Sequence, residues 1–216
     1  MNTCASKLFR VLILLVLFVV FTLGVCLYDV CPIGPQGSQI GFAHVNEAVF
    51  SLLGQSSFWY ALTKGIGLVA ILALGLWACL GLSQLIGRKS LAKIDRPLWA
   101  LVGAMVLVGA LYVFFEIVIV NYRPVLTDGV LEASYPSSHT MLGVCVFLLS
   151  TVLIPKYISS PVLAKLLQAL AVGMAVITPV GRLLSGVHWF TDIVGALLLS
   201  AVVIGVYYLL LAILEK

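Results

Sequence analysis

Six apolar runs, near 8–28, 58–85, 98–121, 138–154, 166–184 and 189–213, set the terms for what this chain can fold into. About 20 apolar residues wound as an α-helix cross the hydrocarbon of a bilayer. Backbone polar groups have no water to bond there, so each run must satisfy its own. The composition agrees. The chain is 62% hydrophobic and 9% charged, against roughly 25% charged residues in a soluble domain. Its mean hydropathy is +1.20. The expected fold is an all-α polytopic membrane protein, with six transmembrane helices in one bundle forming a single domain over 1–216.

Lys7 and Arg10 precede the first run in the manner of a signal peptide. A signal core is only about 7–15 residues, and no small-x-small cleavage site follows, so the run reads as an uncleaved span. The loop over 29–57 opens with the breakers Pro32, Gly34, Pro35 and Gly37. Within it, 43–53 sets Val45, Val49, Phe50, Leu52 and Leu53 against His44, Asn46 and Glu47. That pattern fits a short amphipathic helix at the interface; it also fits a half-buried loop. No internal repeat or low-complexity segment is evident.

Cationic loops mark the cytoplasmic side of a membrane protein. With the N-terminus inside, Lys7, Arg10, Arg88, Lys89, Lys93, Arg96, Lys156, Lys165 and Lys216 are inside, nine of the twelve cations. Asp29, Glu47, Asp128 and Glu132 are then outside. The expectation is a multi-pass plasma-membrane protein with both termini cytoplasmic. The net charge of +4 is spread between spans rather than gathered on one surface, so nucleic acid is not an expected partner. Membrane lipids are, and no obligate protein partner is expected. The five cysteines show no metal-ligand spacing. Cys26 and Cys31 fall near the outer end of the first span, where a disulfide depends on geometry that spacing does not establish.

Ionisable groups at membrane depth are costly and are usually kept for function or for a paired structural role. Three stretches carry them. Arg182, His188 and Asp192 lie in the segment 181–192; Arg123 precedes Pro124; and His139 ends Pro136-Ser137-Ser138-His139. His188 and Asp192 are four apart, which on a helix puts both on one face. The carboxylate then orients one imidazole nitrogen and leaves the other as a reactive lone pair. Taken singly, each stretch also fits a buried ion pair or a satisfied histidine at a helix end, with Pro136 as an N1 proline. Taken jointly, all lie on the outer side in the chosen topology. Two arginines neutralise a phosphate, two histidines divide nucleophile and acid, and Ser137 and Ser138 open a helix whose N–H groups seat an anion. No metal-ligand cluster is visible, so no cofactor or metal is expected, and the reading is phosphoryl transfer through a phosphohistidine.

The three stretches resemble the signature of the phosphatidic-acid-phosphatase type 2 family, also called the lipid phosphatase and haloperoxidase superfamily. That signature is Lys-x6-Arg-Pro, then Pro-Ser-Gly-His, then Ser-Arg-x5-His-x3-Asp. Arg123-Pro124 matches the end of the first part. Pro136-Ser137-Ser138-His139 matches the second, with Ser138 in place of glycine. Arg182, His188 and Asp192 match the third, with Gly181 in place of serine. The resemblance implies His188 as nucleophile, Asp192 as its orienter and His139 as general acid, with Arg123, Arg182, Ser137 and Ser138 at the phosphate. The family lysine is replaced by Glu116. An ionised carboxylate beside phosphate would repel it, so Glu116 is expected to be protonated or to pair with Lys64 or Arg182, and Lys64 to take over part of the lysine's role. The other reading is that Glu116 faces a wet cavity and interacts with nothing. The implied substrate is a lipid phosphate or diphosphate, with undecaprenyl diphosphate first and phosphatidylglycerol phosphate or phosphatidic acid next. A lipid phosphotransferase using the same phosphohistidine and a non-enzymatic transporter are the competing classes. The spans exclude a soluble haloperoxidase.

Overall fold

The computed structural model describes residues 3–127 and 129–216, so Asp128 lies outside the described residues. Seven α-helices follow in order: α1 Thr3–Leu27, α2 Ala43–Leu53, α3 Ser57–Arg88, α4 Arg96–Ile117, α5 Ser138–Tyr157, α6 Pro161–Leu184 and α7 Phe190–Leu214. All but α2 are long and apolar enough to cross a membrane. These six match the expected runs, with ends shifted by a few residues. The short α2 occupies the stretch read as an amphipathic helix. At 32 residues α3 is the longest; a rise of 1.5 Å per residue makes it about 48 Å, longer than the ~30 Å hydrocarbon layer.

Between helices in lipid there is little hydrophobic gain, so close packing over small residues has to supply the cohesion. Here α5 is the hub. On one side Met141, Cys145, Leu149 and Leu153 join a cluster with Val11, Phe18 and Val25 of α1, Ala100 and Ala104 of α4, and Ala196, Leu199 and Val203 of α7. On the other, Val146 and Phe147 meet Ile66 and Ala70 of α3 and Ala171 and Ala175 of α6. Large apolar side chains on the outward faces, such as Phe9, Leu76 and Val106, are exposed as lipid contact requires. Two polar side chains of neighbouring helices bond to α5: the indole of Trp77 donates to Ser150 Oγ at 2.9 Å, and Gln168 Nε2 donates to the Thr151 carbonyl at 2.8 Å.

One expectation is corrected. The third span stops at Ile117 rather than running to Asn121. After it the backbone pairs with a returning segment instead of itself: Arg123 N donates to Glu132 O at 3.0 Å and Ser134 N to Asn121 O at 2.9 Å. Arg123 is therefore in a loop beyond the end of α4. Cys26 and Cys31 are both free thiols.

Several helix ends at one end of the bundle contribute to a single cluster of polar groups. These are the C-termini of α4 and α6 and the N-terminal parts of α3, α5 and α7, so the bundle gathers residues far apart in sequence at one end. Cys4 near the start of α1 reaches the Ala212 carbonyl of α7 at the other end.

Candidate active site

The turn between α6 and α7 is built by Gly186, whose φ of +70° favours glycine. A Cβ there would also meet the Gly54 carbonyl oxygen at 2.6 Å. The turn delivers His188 just ahead of α7, not on it. Trp189 is the N-cap, and Asp192 Oδ2 accepts the Trp189 N–H at 2.9 Å, an acidic cap of the kind helix N-termini favour. The single-face argument for His188 and Asp192 is thus replaced by a capping turn.

The turn still brings the two together, but through a third residue. His188 Nδ1 is 3.6 Å from Asp192 Oδ2, too far for a good hydrogen bond. Ser134 Oγ lies between them, 3.1 Å from Nδ1 and in short contact with Asp192 Oδ2. The proton assignment follows from the network. A carboxylate accepts only, so Ser134 donates to Asp192 and accepts from Nδ1–H. The other ring nitrogen, Nε2, is left with its lone pair, 3.1 Å from Arg182 Nη2, which donates to it. Asn121 Nδ2 lies 3.4 Å from Asp192 Oδ1. His188, Ser134 and Asp192 are all buried. Burial first, and the Arg182 charge second, hold the His188 imidazole well below its ordinary pKa, so the neutral ring persists into acid.

Arg182 is 1% exposed, yet its Nε and Nη1 have no hydrogen-bond partner among the described residues. Its guanidinium carbon stands 5.6 Å from the Tyr60 ring centroid. An unsatisfied buried cation is costly, and its free donors are those that would fork onto an oxyanion. Arg123 is partly buried. Its Nη1 bonds Glu132 at 3.0 Å and Thr127 at 3.2 Å, while its Nε is also unpartnered among the described residues. The Trp189 indole donates to the Tyr122 carbonyl at 2.8 Å, fastening the His188 turn beside Arg123.

Ser137 is the N-cap of α5, with Thr140 N donating to its Oγ at 3.4 Å; it is buried, and its own N–H donates to the Asp192 carbonyl at 3.2 Å. Pro136, joined by a cis peptide to Tyr135, precedes that cap and is not an N1 residue. Ser138 is the better placed of the two serines, for it lines both clefts at this end. One cleft, bounded by Glu116, Arg123, Ser134, Ser138 and His188, holds about 20 Å³, room for a single water. The other, bounded by Lys64, Tyr112, Ser138, His139 and the apolar Leu68, Ile71 and Val108, holds about 490 Å³, in the range of small-molecule sites. His139 is half-buried there, within electrostatic range of Arg182, His188, Arg123 and Lys64.

Glu116 is exposed at the last turn of α4 and forms no ion pair among the described residues. The expected pairing with Lys64 or Arg182 is absent: Lys64 Nζ instead lies 5.3 Å from the Tyr60 ring centroid. Gly181, where the family pattern has serine, has a packing reason. A Cβ at that position would come within 2.6 Å of Thr63 Cγ2 and 3.0 Å of Trp59, so glycine lets α3 approach α6. Ser134 and Asn121 carry no motif, and sequence reasoning missed both. Among the described residues, no group of three or more His, Cys, Asp or Glu side chains is placed to share a metal ion.

A comparison with curated proteins gives no match. Among solved structures, the chain is similar to the crystal structure of the first transmembrane PAP2 type phosphatidylglycerolphosphate phosphatase from Bacillus subtilis. The TM-score is 0.59 at 20% identity, covering 94% of each chain, a likeness of fold. A family model matches residues 43–214, from the start of α2 to the end of α7 and across every residue of the site. The chain belongs to the PAP2 superfamily.

Proposed function

We propose that the protein is a membrane phosphatase that hydrolyses a lipid phosphate or diphosphate through a phosphohistidine. The observation that carries this is Arg182: a buried guanidinium with free Nε and Nη1 donors, whose Nη2 touches the lone-pair nitrogen of His188. Nε2 attacks phosphorus and the bond from phosphorus to the leaving oxygen breaks. His139 gives that oxygen a proton. Water then attacks the phosphohistidine, its proton returns to His139, and the P–N bond breaks to release inorganic phosphate. Arg182 and Arg123 hold the equatorial oxygens where charge develops. The apolar walls of the larger cleft support a lipid rather than a soluble ester. Undecaprenyl diphosphate is the first candidate; phosphatidylglycerol phosphate, the substrate class named for the Bacillus subtilis neighbour, and phosphatidic acid follow.

The test is phosphate release by purified protein in detergent across these three lipids, with excess chelator present. One of them should turn over at full rate. Loss of activity that a stoichiometric divalent ion restores would overturn the metal-free route. Transfer of labelled phosphate to an alcohol in place of release would identify a phosphotransferase.

The site is proposed to face outward across the plasma membrane, with both termini cytoplasmic, because the cationic loops lie at the opposite end. In a background without the five native cysteines, a cysteine at exposed Val130 should react with an impermeant thiol reagent added to intact cells. One at Lys89 should not. The reverse pattern would put the site on the cytoplasmic side.

With Glu116 and Lys64 on different clefts, their effects should be independent. Glu116→Gln is expected to retain most turnover. Lys64→Met should lower kcat/KM by roughly fivefold, about the 1 kcal/mol upper range of an exposed charge. The double variant should show the product of the two. A Glu116→Gln enzyme as inactive as one lacking His188 would give Glu116 a direct catalytic role.

A further inference from the structure

At the end of the bundle opposite His188, a polar pocket and an apolar groove share one wall. The pocket lies under the start of α4, beside the ends of α5 and α7, and holds about 500 Å³. Lys93, Arg96 and Lys156 line it together with Asp95 and Glu215. Asp95 is already engaged. Arg88 Nη1 donates to its Oδ1 at 2.7 Å, and Gln84 Nε2 and Tyr157 OH donate to its Oδ2 at 2.8 and 2.9 Å. Lys93, Arg96 and Lys156 are exposed and form no ion pair among the described residues. With Asp95 engaged, Glu215 is the one carboxylate among the described lining residues that remains to face the three cations.

The groove opens between α3 and α4. The Gln84–Asp95 contacts tie these helices at their connection. Farther along, they have no substantial packing on each other. The gap holds about 580 Å³ and is apolar, with Trp77, Gly81, Leu82, Leu98 and Val102 on its walls. Ile94 borders both the groove and the polar pocket.

We propose that pocket and groove together bind one anionic glycerophospholipid from the leaflet opposite the active site. Its phosphodiester sits among Lys93, Arg96 and Lys156, and one acyl chain passes Ile94 into the α3–α4 groove. Free cations alone would mark only a membrane face, and an apolar gap alone would accept any chain. Their junction at Ile94 asks for a molecule that is anionic at one end and apolar at the other. Basic pockets between transmembrane helices bind lipid headgroups on this principle, each cation near the surface contributing about 1 kcal/mol. The groove ends near Leu74 and Met105, and the larger cleft at His139 begins near Ile71 and Val108. The two lie end to end along one seam, so the bound lipid limits how far a substrate chain descends from the catalytic end.

The experiment places the protein in phosphatidylcholine nanodiscs with a trace of photoactivatable phosphatidylglycerol or phosphatidylcholine, each carrying a diazirine on an acyl chain. Labelled peptides are mapped by mass spectrometry. Phosphatidylglycerol should label α3 and α4 peptides at least about fivefold more than phosphatidylcholine, the factor set by one cation. Lys93→Ala/Arg96→Ala/Lys156→Ala, at exposed positions, should erase that preference. Gly81→Leu should lower labelling by both lipids, because a Cβ there meets nothing nearer than Leu98 Cδ1 at 4.0 Å and the added branch enters the groove. Excess glycerol 3-phosphate should not compete. Equal labelling by both lipids, label spread evenly over α1 and α6, an unaffected triple variant, or displacement by glycerol 3-phosphate would each overturn the proposal.

Discussion

His188→Ala is expected to abolish phosphate release and to leave no acid-labile, base-stable phosphoenzyme on brief exposure to labelled lipid. Removing a covalent nucleophile from a site whose other parts remain costs about 10⁶-fold in kcat, so turnover should fall to background. Two features make the result specific. The side chain is 2% exposed and its Nε2 faces Arg182, so no other nucleophile takes its place. Its loss also removes the group that occupies one donor of Arg182, and lipid phosphate binding should survive or tighten while chemistry stops. The wild-type pH profile bears on the same nitrogen. Burial and the Arg182 charge lower the pKa of His188. Nε2 therefore keeps its lone pair below the ordinary imidazole range, and the acid limb of kcat/KM should fall below about pH 6.5. The variant should elute from size exclusion in detergent as the wild type does. Full activity in His188→Ala would end the phosphohistidine mechanism.

The parts of this site that the sequence displayed are those whose cost is visible in one dimension. Arg123, His139, Arg182, His188 and Asp192 stood out because ionisable groups are rare beside apolar runs, and their order and spacing resembled a known signature. The six spans were legible for the same reason: lipid demands long uninterrupted apolar stretches. What was hidden depends on how the chain turns. Ser134 and Asn121 sit in the loop after α4, ordinary polar residues in a polar segment, and only folding brings them to Asp192. The end of α4 was misplaced because Val118, Ile119 and Val120 extend its apolar run, while the backbone pairing of 121–134 that ends the helix leaves no compositional trace. Gly181 stands where the family signature has serine. The proximity of Thr63 and Trp59 gives it a packing role that no spacing could reveal.

Asp192→Asn is expected to lower kcat by about 10²–10⁴-fold, at most the roughly 10⁴-fold loss seen when the orienting carboxylate of a triad becomes an amide. The reason lies in which atoms face it. Oδ2 accepts from both Ser134 Oγ and the Trp189 N–H, and Oδ1 faces Asn121 Nδ2. An asparagine that keeps its oxygen toward Trp189 sets its own NH₂ against the Asn121 amide. If it turns over, its NH₂ faces Ser134. Ser134 must then accept from the asparagine and donate to His188 Nδ1, which moves the ring proton to Nε2. That tautomer presents a proton to Arg182 and has no lone pair for phosphorus. Ser134→Ala tests the relay without altering the carboxylate. The 3.6 Å gap between Nδ1 and Oδ2 must then close directly, and a ring displacement approaching 1 Å costs roughly 10²-fold. The loss should appear in kcat with KM little changed, because neither residue is placed to hold the lipid. Ser134→Thr, which keeps the hydroxyl, should recover much of the rate. The double variant Ser134→Ala/Asp192→Asn should be no worse than Asp192→Asn alone, since both act through one proton. A Ser134→Ala enzyme with wild-type kcat would show that His188 and Asp192 pair directly during turnover and that Ser134 only fills the space between them.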